Sequence, residues 1–320
     1  MSAAPPPIEG LHHVTCITGD ARTNVDFYTR VMGQRLVKKS VNQDDPGVYH
    51  LFYADEEGTP GHDLTFFEYR GAKPGTAGDG MVHTVAFRVA SPAALDFWEA
   101  RLRGEGRDPR RADDASLRFA DPEGLRLELR VEDVPDAPLV AVADDIPPEV
   151  ALQGFAGVRA YAAQPDRSGP VLRRVLGLTA GGLGAGEGAT YSARGAARGA
   201  WIAYDPPPAV QGQPGAGTVH HVAWAIPFDS EHRWNATVRA AGAHTSGVVD
   251  RFYFRSIYFR EPSGVLFELA TIGPGFGVDE DPAHLGETVA LPPFLEPLRE
   301  RIEAELTPLD GVGRQRGRAA

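Results

Sequence analysis

Three residues of the sequence have side chains that divalent metal ions favour as ligands. His13 and His221 each follow a second histidine in two similar apolar segments, and Glu268 stands in a later apolar segment. Two imidazoles and one carboxylate form the facial triad that holds non-haem Fe(II) and leaves coordination positions open for substrate and dioxygen. Because Mn(II) accepts the same ligands, the residue types predict an Fe(II) site with Mn(II) as the alternative.

His12 and His220 directly precede these two histidines. Side chains alternate between the faces of a strand, so we expect His12 and His220 to face away from His13 and His221. Thr15 lies two residues from His13 on the same predicted face, which favours His13 as the ligand. A polar residue at a sheet edge and a group that supports the ligands are equally good interpretations of His12 and His220.

The elements that must position these residues belong to a fourfold repeat. Segment 8–15 recurs loosely as 152–159, which is 144 residues later, and further copies open at residues 82 and 219. Each copy begins with a strand, continues with a helix that ends at a glycine, and closes with strand-like segments. The repeat therefore predicts four βαβββ units.

Equivalent positions in the repeat limit the number of metal sites. Thr84 in the second copy and Gly157 in the third stand where the first and fourth copies have their ligand histidines. These two copies cannot build the same site, although Glu128 matches Glu268. In the first copy Thr65 stands at the position of Glu268. The repeat thus predicts one site with three protein ligands.

Four βαβββ units predict an α+β fold in which the units pair into two domains. The first domain spans 1–140 with the first two units, and the second spans 150–272 with the other two. A C-terminal extension, 273–320, follows, and its last residues, 310–320, predict disorder. Apolar residues at helical spacing in this extension predict a terminal helix that packs back on the body. They are Phe294, Leu295, Leu298, Ile302 and Leu306.

Composition places the chain among globular proteins. The 320 residues are 42% hydrophobic, and 43 Asp and Glu outnumber 32 Lys and Arg, which gives a net charge of −11. Without a basic patch, a nucleic-acid partner is not expected. No apolar run approaches the roughly 18 residues of a membrane helix. The lone Cys16 and an N-terminal segment unlike a signal peptide predict a reduced, cytoplasmic protein. The sequence leaves open whether the chain forms a homo-oligomer.

Several motifs resemble those of the vicinal oxygen chelate superfamily, which includes glyoxalases, bleomycin resistance proteins and dioxygenases. Within that superfamily the chain is most similar to ring-cleaving dioxygenases that open hydroquinones and chlorinated hydroquinones. The resemblance covers nearly the whole chain. The segments that carry it are 10–15, 26–28, 35–39, 44–46, 49–51, 58–61, 274–276 and 279–280.

This resemblance implies an Fe(II)-dependent, extradiol-type ring-cleaving dioxygenase whose partners are O2 and a hydroquinone-like aromatic substrate. It carries the metal-binding role onto His13, His221 and Glu268. It also implies that five further residues line or support the substrate pocket. These are His12, His220, Arg251, Tyr258 and Thr15.

Arg251 would orient an anionic oxygen through its forked donors. Tyr258, His12 or His220 would handle a proton, because such groups act as acid or base within hydrogen-bond reach. Arg251 and Tyr258 are seven residues apart and would face opposite ways on one straight strand. We therefore expect a bend between them, near residues 254–255.

Two other functions are compatible with the same architecture. A glyoxalase-like metal-dependent isomerase or lyase generally needs a fourth protein ligand, and Thr65 disfavours it. A non-enzymatic protein that binds an aromatic drug would make no use of the three metal-competent residues. Oxygen uptake with a dihydroxybenzene separates the dioxygenase from both.

Overall fold

The structure, a computed structural model, describes residues 4–181 and 189–313, and sixteen strands lie within them. The first eight are β1 Leu11–Thr18, β2 Arg35–Asn42, β3 Asp45–Ala54, β4 Asp63–Glu68, β5 Val82–Val89, β6 Arg110–Asp113, β7 Ser116–Ala120 and β8 Arg126–Val131. The others are β9 Phe155–Tyr161, β10 Thr179–Ala180, β11 Ala189–Arg194, β12 Gly199–Asp205, β13 Thr218–Ile226, β14 Val249–Asp250, β15 Arg255–Arg260 and β16 Leu266–Thr271.

The α-helices of the described residues are short and lie after the first strand of a unit or near the C-terminus. They are α1 Ala21–Val25, α2 Pro92–Gly104, α3 Glu231–Ala240 and α4 Arg299–Glu305. A π-helical segment, Asp26–Val31, continues α1, and Val171–Val175 is its counterpart in the third unit. Each is followed by a glycine with positive φ, Gly33 at 72° and Gly177 at 75°, a conformation that ends a helix with little strain in glycine.

The sequence of α2 shows why this segment forms the longest helix described. Ser91 accepts a hydrogen bond from the backbone N–H of Ala94, and Pro92 occupies the first turn, where its missing N–H costs nothing. Apolar residues then recur every three or four positions, so one face of the helix is buried. The buried residues are Ala94, Leu95, Trp98 and Leu102.

Each eight-stranded sheet combines two repeat units. The first sheet has the order β14-β15-β16-β13-β1-β4-β3-β2 and unites the fourth unit with the first. The second has the order β10-β11-β12-β9-β5-β8-β7-β6 and unites the third unit with the second. The predicted α+β fold of paired βαβββ units is confirmed. Each sheet contains strands from both 1–140 and 150–272. The boundaries of the two domains therefore remain a prediction.

Two β-bulges lie at the centre of the first sheet. Along β1 the pairing with β13 passes from Leu11 directly to His13, and along β13 it passes from His221 to Val219. His12 and His220 are therefore the extra residues of two bulges. A bulge sets two residues of one strand against one of its partner and interrupts the strict alternation of side chains.

The C-terminal extension packs against the first sheet. The backbone N–H of Ala290 donates to the carbonyl of Lys39 on β2, and Ile302 of α4 is buried. The predicted terminal helix is confirmed, but the burial of Phe294 and Leu298 is wrong, since they are 60% and 44% exposed. Both precede the seven-residue helix, so they do not share its buried face. Of the segment predicted to be disordered, 314–320 lies outside the described residues.

No helix in the described parts of the chain combines the length and the apolar character that crossing a bilayer requires.

The buried His62 makes the folded chain sensitive to acid. Its Nδ1 donates to the carbonyl of Leu139 at 3.0 Å, and its Nε2 accepts from the side-chain amide of Gln34 at 3.1 Å. Burial lowers the pKa of His62 from 6.5 to about 4. Below pH 6.5 the unfolded chain takes up a proton that the folded chain does not, so stability falls as the pH drops from 6.5 towards 4.

We expect His62 to lower the free energy of unfolding by about 1.4 kcal/mol when the pH falls from 7.5 to 5.5. Urea denaturation of wild type and of His62→Gln at both pH values measures it. The wild type should lose about 1.4 kcal/mol more than the variant. Equal losses in the two proteins would contradict the assignment.

Candidate metal centre

Three buried side chains of the first sheet converge on one point. Nε2 of His13 on β1 lies 3.2 Å from Nε2 of His221 on β13. Oε2 of Glu268 on β16 lies 3.2 Å from the first of these nitrogens and 2.9 Å from the second. Among the residues that the structure describes, these three are the only group of His, Cys, Asp or Glu side chains placed to share a metal ion.

Strand register explains why the ligand set stops at three. In the parallel pair β1 and β4, His13 lies opposite Asp63 and Thr15 opposite Thr65. In the parallel pair β13 and β16, Ala223 lies opposite Glu268. Thr65 and Glu268 therefore occupy equivalent positions: each lies two residues further along its strand than the residue opposite the ligand histidine of the same unit. A hydroxyl stands where a fourth, carboxylate ligand would be needed.

His12 and His220 contact the two histidines instead of facing away from them. Nδ1 of His12 lies 2.9 Å from Nδ1 of His13, and Nδ1 of His220 lies 2.7 Å from Nδ1 of His221. The expectation from strand alternation is wrong here because both residues are the extra residues of β-bulges. Each ring is thus placed to hold the orientation of its neighbour.

The contact between His12 and His13 bears on the position of the proton of His13. Burial and then the neighbouring His13 lower the pKa of His12 to about 3, so its ring is neutral. Nδ1 of His12 and Nδ1 of His13 lie within hydrogen-bond distance, so one of the two nitrogens carries the proton of this bond. With that proton on His13, Nε2 of His13 has a free electron pair directed at the candidate site.

The donor set fits a divalent cation. Oε1 of Glu268 accepts a hydrogen bond from Ser256, whereas the buried Oε2 has no hydrogen-bond partner. Burial would raise the pKa of Glu268, but attraction to His13 and His221 when they are protonated outweighs burial and holds this pKa well below 4.5. Burial lowers the pKa of His221, against the attraction of Glu268. One carboxylate and neutral imidazoles are the protonation states that bind metal.

A cavity of about 370 Å³ adjoins these residues, and His13 and His221 form part of its lining. Its volume is in the range of about 300–1,000 Å³ typical of small-molecule sites. Much of the wall is aromatic or aliphatic, which suits a planar apolar ligand. The side chains of this apolar wall are Val41, Phe52, Phe67, Tyr253, Phe254 and Leu266.

Arg251 and Tyr258 both line this cavity. The chain leaves β14 after Asp250 and enters β15 at Arg255, and between them Phe252 has a φ of 70°. This break changes the direction of the chain. Arg251 and Tyr258, which are seven residues apart and would face opposite ways on one straight strand, can therefore face the same cavity. The guanidinium of Arg251 lies 5.6 Å from the centre of the Tyr258 ring.

Charge at the cavity is set by two pairs of groups. Nη1 and Nη2 of Arg251 donate to the two carboxylate oxygens of Asp44, at 3.1 and 2.8 Å. Burial opposes the charge of Arg251, but the hydrogen bond to Asp44 outweighs it and raises its pKa. Burial and the charge of Glu268 raise the pKa of Tyr258. The cavity therefore presents a cation and a neutral phenol.

Thr15 and His12 lie behind the cavity wall, whereas His220 is part of it. The hydroxyl of Thr65 donates to the hydroxyl of Thr15 at 2.8 Å. Sequence reasoning missed His50, which lines the cavity and hydrogen-bonds to Thr65. The period of two along β3 was the available signal, since it places His50 on the same face as Phe52.

In the second sheet, arginine side chains surround Glu128, the residue that is equivalent to Glu268. Glu128 is buried, and Arg118, Arg130 and Arg159 form ion pairs with it at 3.1, 2.8 and 3.1 Å. A Cβ atom added at Gly157 would lie 2.3 Å from atoms of Trp201. Guanidinium groups thus neutralise the carboxylate, and no side chain can replace the missing histidine there.

Comparison with known proteins agrees with this fold. The family model of the Glyoxalase/Bleomycin resistance protein/Dioxygenase superfamily matches residues 10–129. "Putative ring-cleaving dioxygenase MhqA" from Bacillus subtilis (strain 168) is 39% identical over 313 residues, 94% of this chain and 99% of that protein. The chain belongs to this superfamily. The name of this relative refers to ring cleavage.

Two further superfamily members cover the chain equally well. "Chlorohydroquinone/hydroquinone 1,2-dioxygenase" from Sphingobium indicum is 33% identical over 322 residues, 94% of this chain and 97% of that protein. The crystal structure of a "putative dioxygenase" from Bacillus subtilis superposes with a TM-score of 0.89 at 37% identity, over 97% of this chain and 100% of that one. The relatives support an oxygenase that acts on an aromatic substrate.

Proposed function

We propose that this chain is an Fe(II)-dependent, extradiol-type dioxygenase that inserts O2 into the ring of hydroquinone or a substituted hydroquinone. The observation that carries the proposal is the convergence of His13, His221 and Glu268 beside an aromatic-walled cavity. The name of the relative from Sphingobium indicum supports the choice of substrate. Mn(II) is the alternative metal, because it takes the same ligands.

In this proposal His13, His221 and Glu268 would hold the ion, and His12 and His220 keep the two ligand rings in place. When bound, the ion would supply Lewis acidity towards a phenolic oxygen and a redox partner for dioxygen. All three ligand side chains are buried, which limits the access of bulk water to them. Substrate would reach the ion from the cavity.

Arg251 and Tyr258 act on the substrate from the fourth unit. The guanidinium of Arg251 orients the anionic oxygen of a deprotonated hydroxyl, which requires it to share or exchange its contact with Asp44. Tyr258 keeps its proton because burial and Glu268 raise its pKa, so its phenol O–H donates to negative charge that develops on the ring. His220, on the cavity wall, takes up the hydroxyl proton on Nδ1, and it gives up its contact with Nδ1 of His221 when it does so.

Oxygen consumption by the protein after anaerobic loading with Fe(II) tests this function. With hydroquinone, chlorohydroquinone or methylhydroquinone we expect one O2 consumed per substrate and loss of the aromatic absorbance. The parallel assay offers a thiohemiacetal, the kind of substrate that a glyoxalase-like isomerase would turn over. Turnover of the thiohemiacetal without oxygen uptake on any dihydroxybenzene would overturn the proposal.

The isomerase is disfavoured by Thr65, whose hydroxyl is engaged with Thr15 and supplies no carboxylate. The proposal places the enzyme in the cytoplasm, where the buried free thiol of Cys16 would stay reduced.

A further inference from the structure

His50 stands on the wall of the cavity that the first unit provides. It belongs to β3, and its ring lies between two aromatic rings, 4.0 Å from that of Phe52 and 4.3 Å from that of Phe67 between centroids. Arg251 and Tyr258 come from the fourth unit, so the cavity has polar groups from both units. The flanking rings restrict the orientation of the imidazole.

The hydrogen bonds of His50 determine which of its nitrogens carries the proton. Nε2 lies 3.0 Å from the hydroxyl oxygen of Thr65. That hydroxyl has one hydrogen, and it is donated to Thr15 at 2.8 Å. The Thr65 oxygen can then only accept from His50, so Nε2 of His50 is the N–H.

The other ring nitrogen of His50 is consequently a hydrogen-bond acceptor. Burial lowers the pKa of His50 well below 6.5, and the positive charges of His13 and His221, when they are protonated, lower it further. The ring of His50 is therefore neutral. A neutral imidazole with its proton on Nε2 has a free electron pair on Nδ1. Within the described ranges Nδ1 has no hydrogen-bond partner, and the ring lines the cavity.

We propose that Nδ1 of His50 is the subsite for the second hydroxyl of the substrate, the one that does not approach His13, His221 and Glu268. This inference rests on the proposed function and makes it more specific. A ring hydroxyl can donate to Nδ1, whereas a hydrogen, halogen or ether oxygen at that position cannot. The enzyme would thereby select aromatic rings with two hydroxyl groups over monophenols.

The same contact explains why the selection should be strong. A ligand that fills the cavity without donating to Nδ1 removes water from this nitrogen and leaves it unpaired. Sites built around one such hydrogen bond reject the analogue that lacks it much more strongly than sites that sense only size. We expect about tenfold to hundredfold weaker binding for such an analogue.

Binding without turnover tests the inference. Hydroquinone and 4-fluorophenol, which differ by one donor and little in size, are titrated calorimetrically into the anaerobic iron-loaded protein. Wild type should bind hydroquinone about tenfold to hundredfold more tightly. The variant His50→Leu should lose most of that difference by weakening hydroquinone alone, and His50→Gln, which offers an amide oxygen as acceptor, should restore part of it.

A second variant keeps the test independent of the folding of His50→Leu. Thr65→Val removes the hydroxyl that fixes the proton on Nε2 of His50, so it should also weaken hydroquinone more than 4-fluorophenol. Equal weakening of both ligands in these variants, or no preference in wild type, would overturn the inference. If oxygen uptake with hydroquinone persists in that case, the proposed function stands and only the role of His50 fails.

Discussion

A Glu268→Ala variant is expected to lose its metal ion. After anaerobic Fe(II) loading and desalting, wild type should retain about one ion per chain and the variant less than about one tenth. The reason is that this change removes the one carboxylate of the site and leaves two neutral imidazoles to hold a dication. Even outer partners of metal ligands are worth about 10–100-fold in affinity, so a ligand should be worth more. Metal analysis by plasma mass spectrometry measures the content.

The second sheet provides a matched control for this experiment. Thr84 occupies the position that His13 has in the first sheet, and a Thr84→Val variant should keep one ion per chain. His13→Ala and His221→Ala should behave like Glu268→Ala. Retention of stoichiometric metal by all three ligand variants would show that the ion lies elsewhere.

A Lys38→Met variant is expected to lose about 3 kcal/mol of unfolding free energy. Lys38 on β2 is fully buried, and its Nζ contacts Asp279 at 2.8 Å, a carboxylate oxygen of Glu280, and the carbonyl of Phe276 at 3.2 Å. Removing the cation leaves two carboxylates close together in a largely buried place, where their desolvation is no longer offset. Urea denaturation at pH 7.5 measures the loss.

The neighbouring Lys39 supplies the control for this loss. Lys39 is half-buried, and its Nζ donates to the backbone carbonyl of Glu287, so Lys39→Met should cost about 1 kcal/mol or less. Equal losses for the two variants would contradict the importance of the buried ion pairs. Tyr253, which lines the cavity, donates to Asp279 at 2.8 Å, so the Lys38 cluster also joins the C-terminal extension to the cavity wall.

The fourfold repeat made much of the architecture predictable from sequence. Each unit has its own strand and turn signals, and residues at equivalent positions can be compared directly. Comparing His13 with Thr84 and Gly157 predicted a single metal site. Comparing Thr65 with Glu268 predicted that this site has three protein ligands. These inferences needed only the order of elements, which local sequence largely determines.

Features that depend on pairing between distant strands were not predictable in the same way. The bulges that bring His12 and His220 against the ligand rings are properties of the register between β1 and β13, more than two hundred residues apart in the chain. The acceptor role of His50 depends on a chain of hydrogen bonds across three strands. No single-strand pattern contains that information.

Charge compensation was equally hidden. Glu128 has the same repeat position as Glu268, and sequence comparison excluded a second metal site there but did not indicate which groups surround this carboxylate. In the structure Arg118, Arg130 and Arg159 neutralise it, so the same buried carboxylate serves ion pairing in one sheet and, in our proposal, metal binding in the other. Which role a buried Glu takes depends on the cations that the fold brings to it.

Anomalous diffraction at the iron absorption edge, from crystals loaded with Fe(II) under anaerobic conditions, tests the central claim most directly. We predict one peak per chain, within coordination distance of Nε2 of His13, Nε2 of His221 and Oε2 of Glu268, and bordering the aromatic cavity. A peak at another position, or no peak in crystals whose solution counterpart retains iron, would contradict the assignment of this centre.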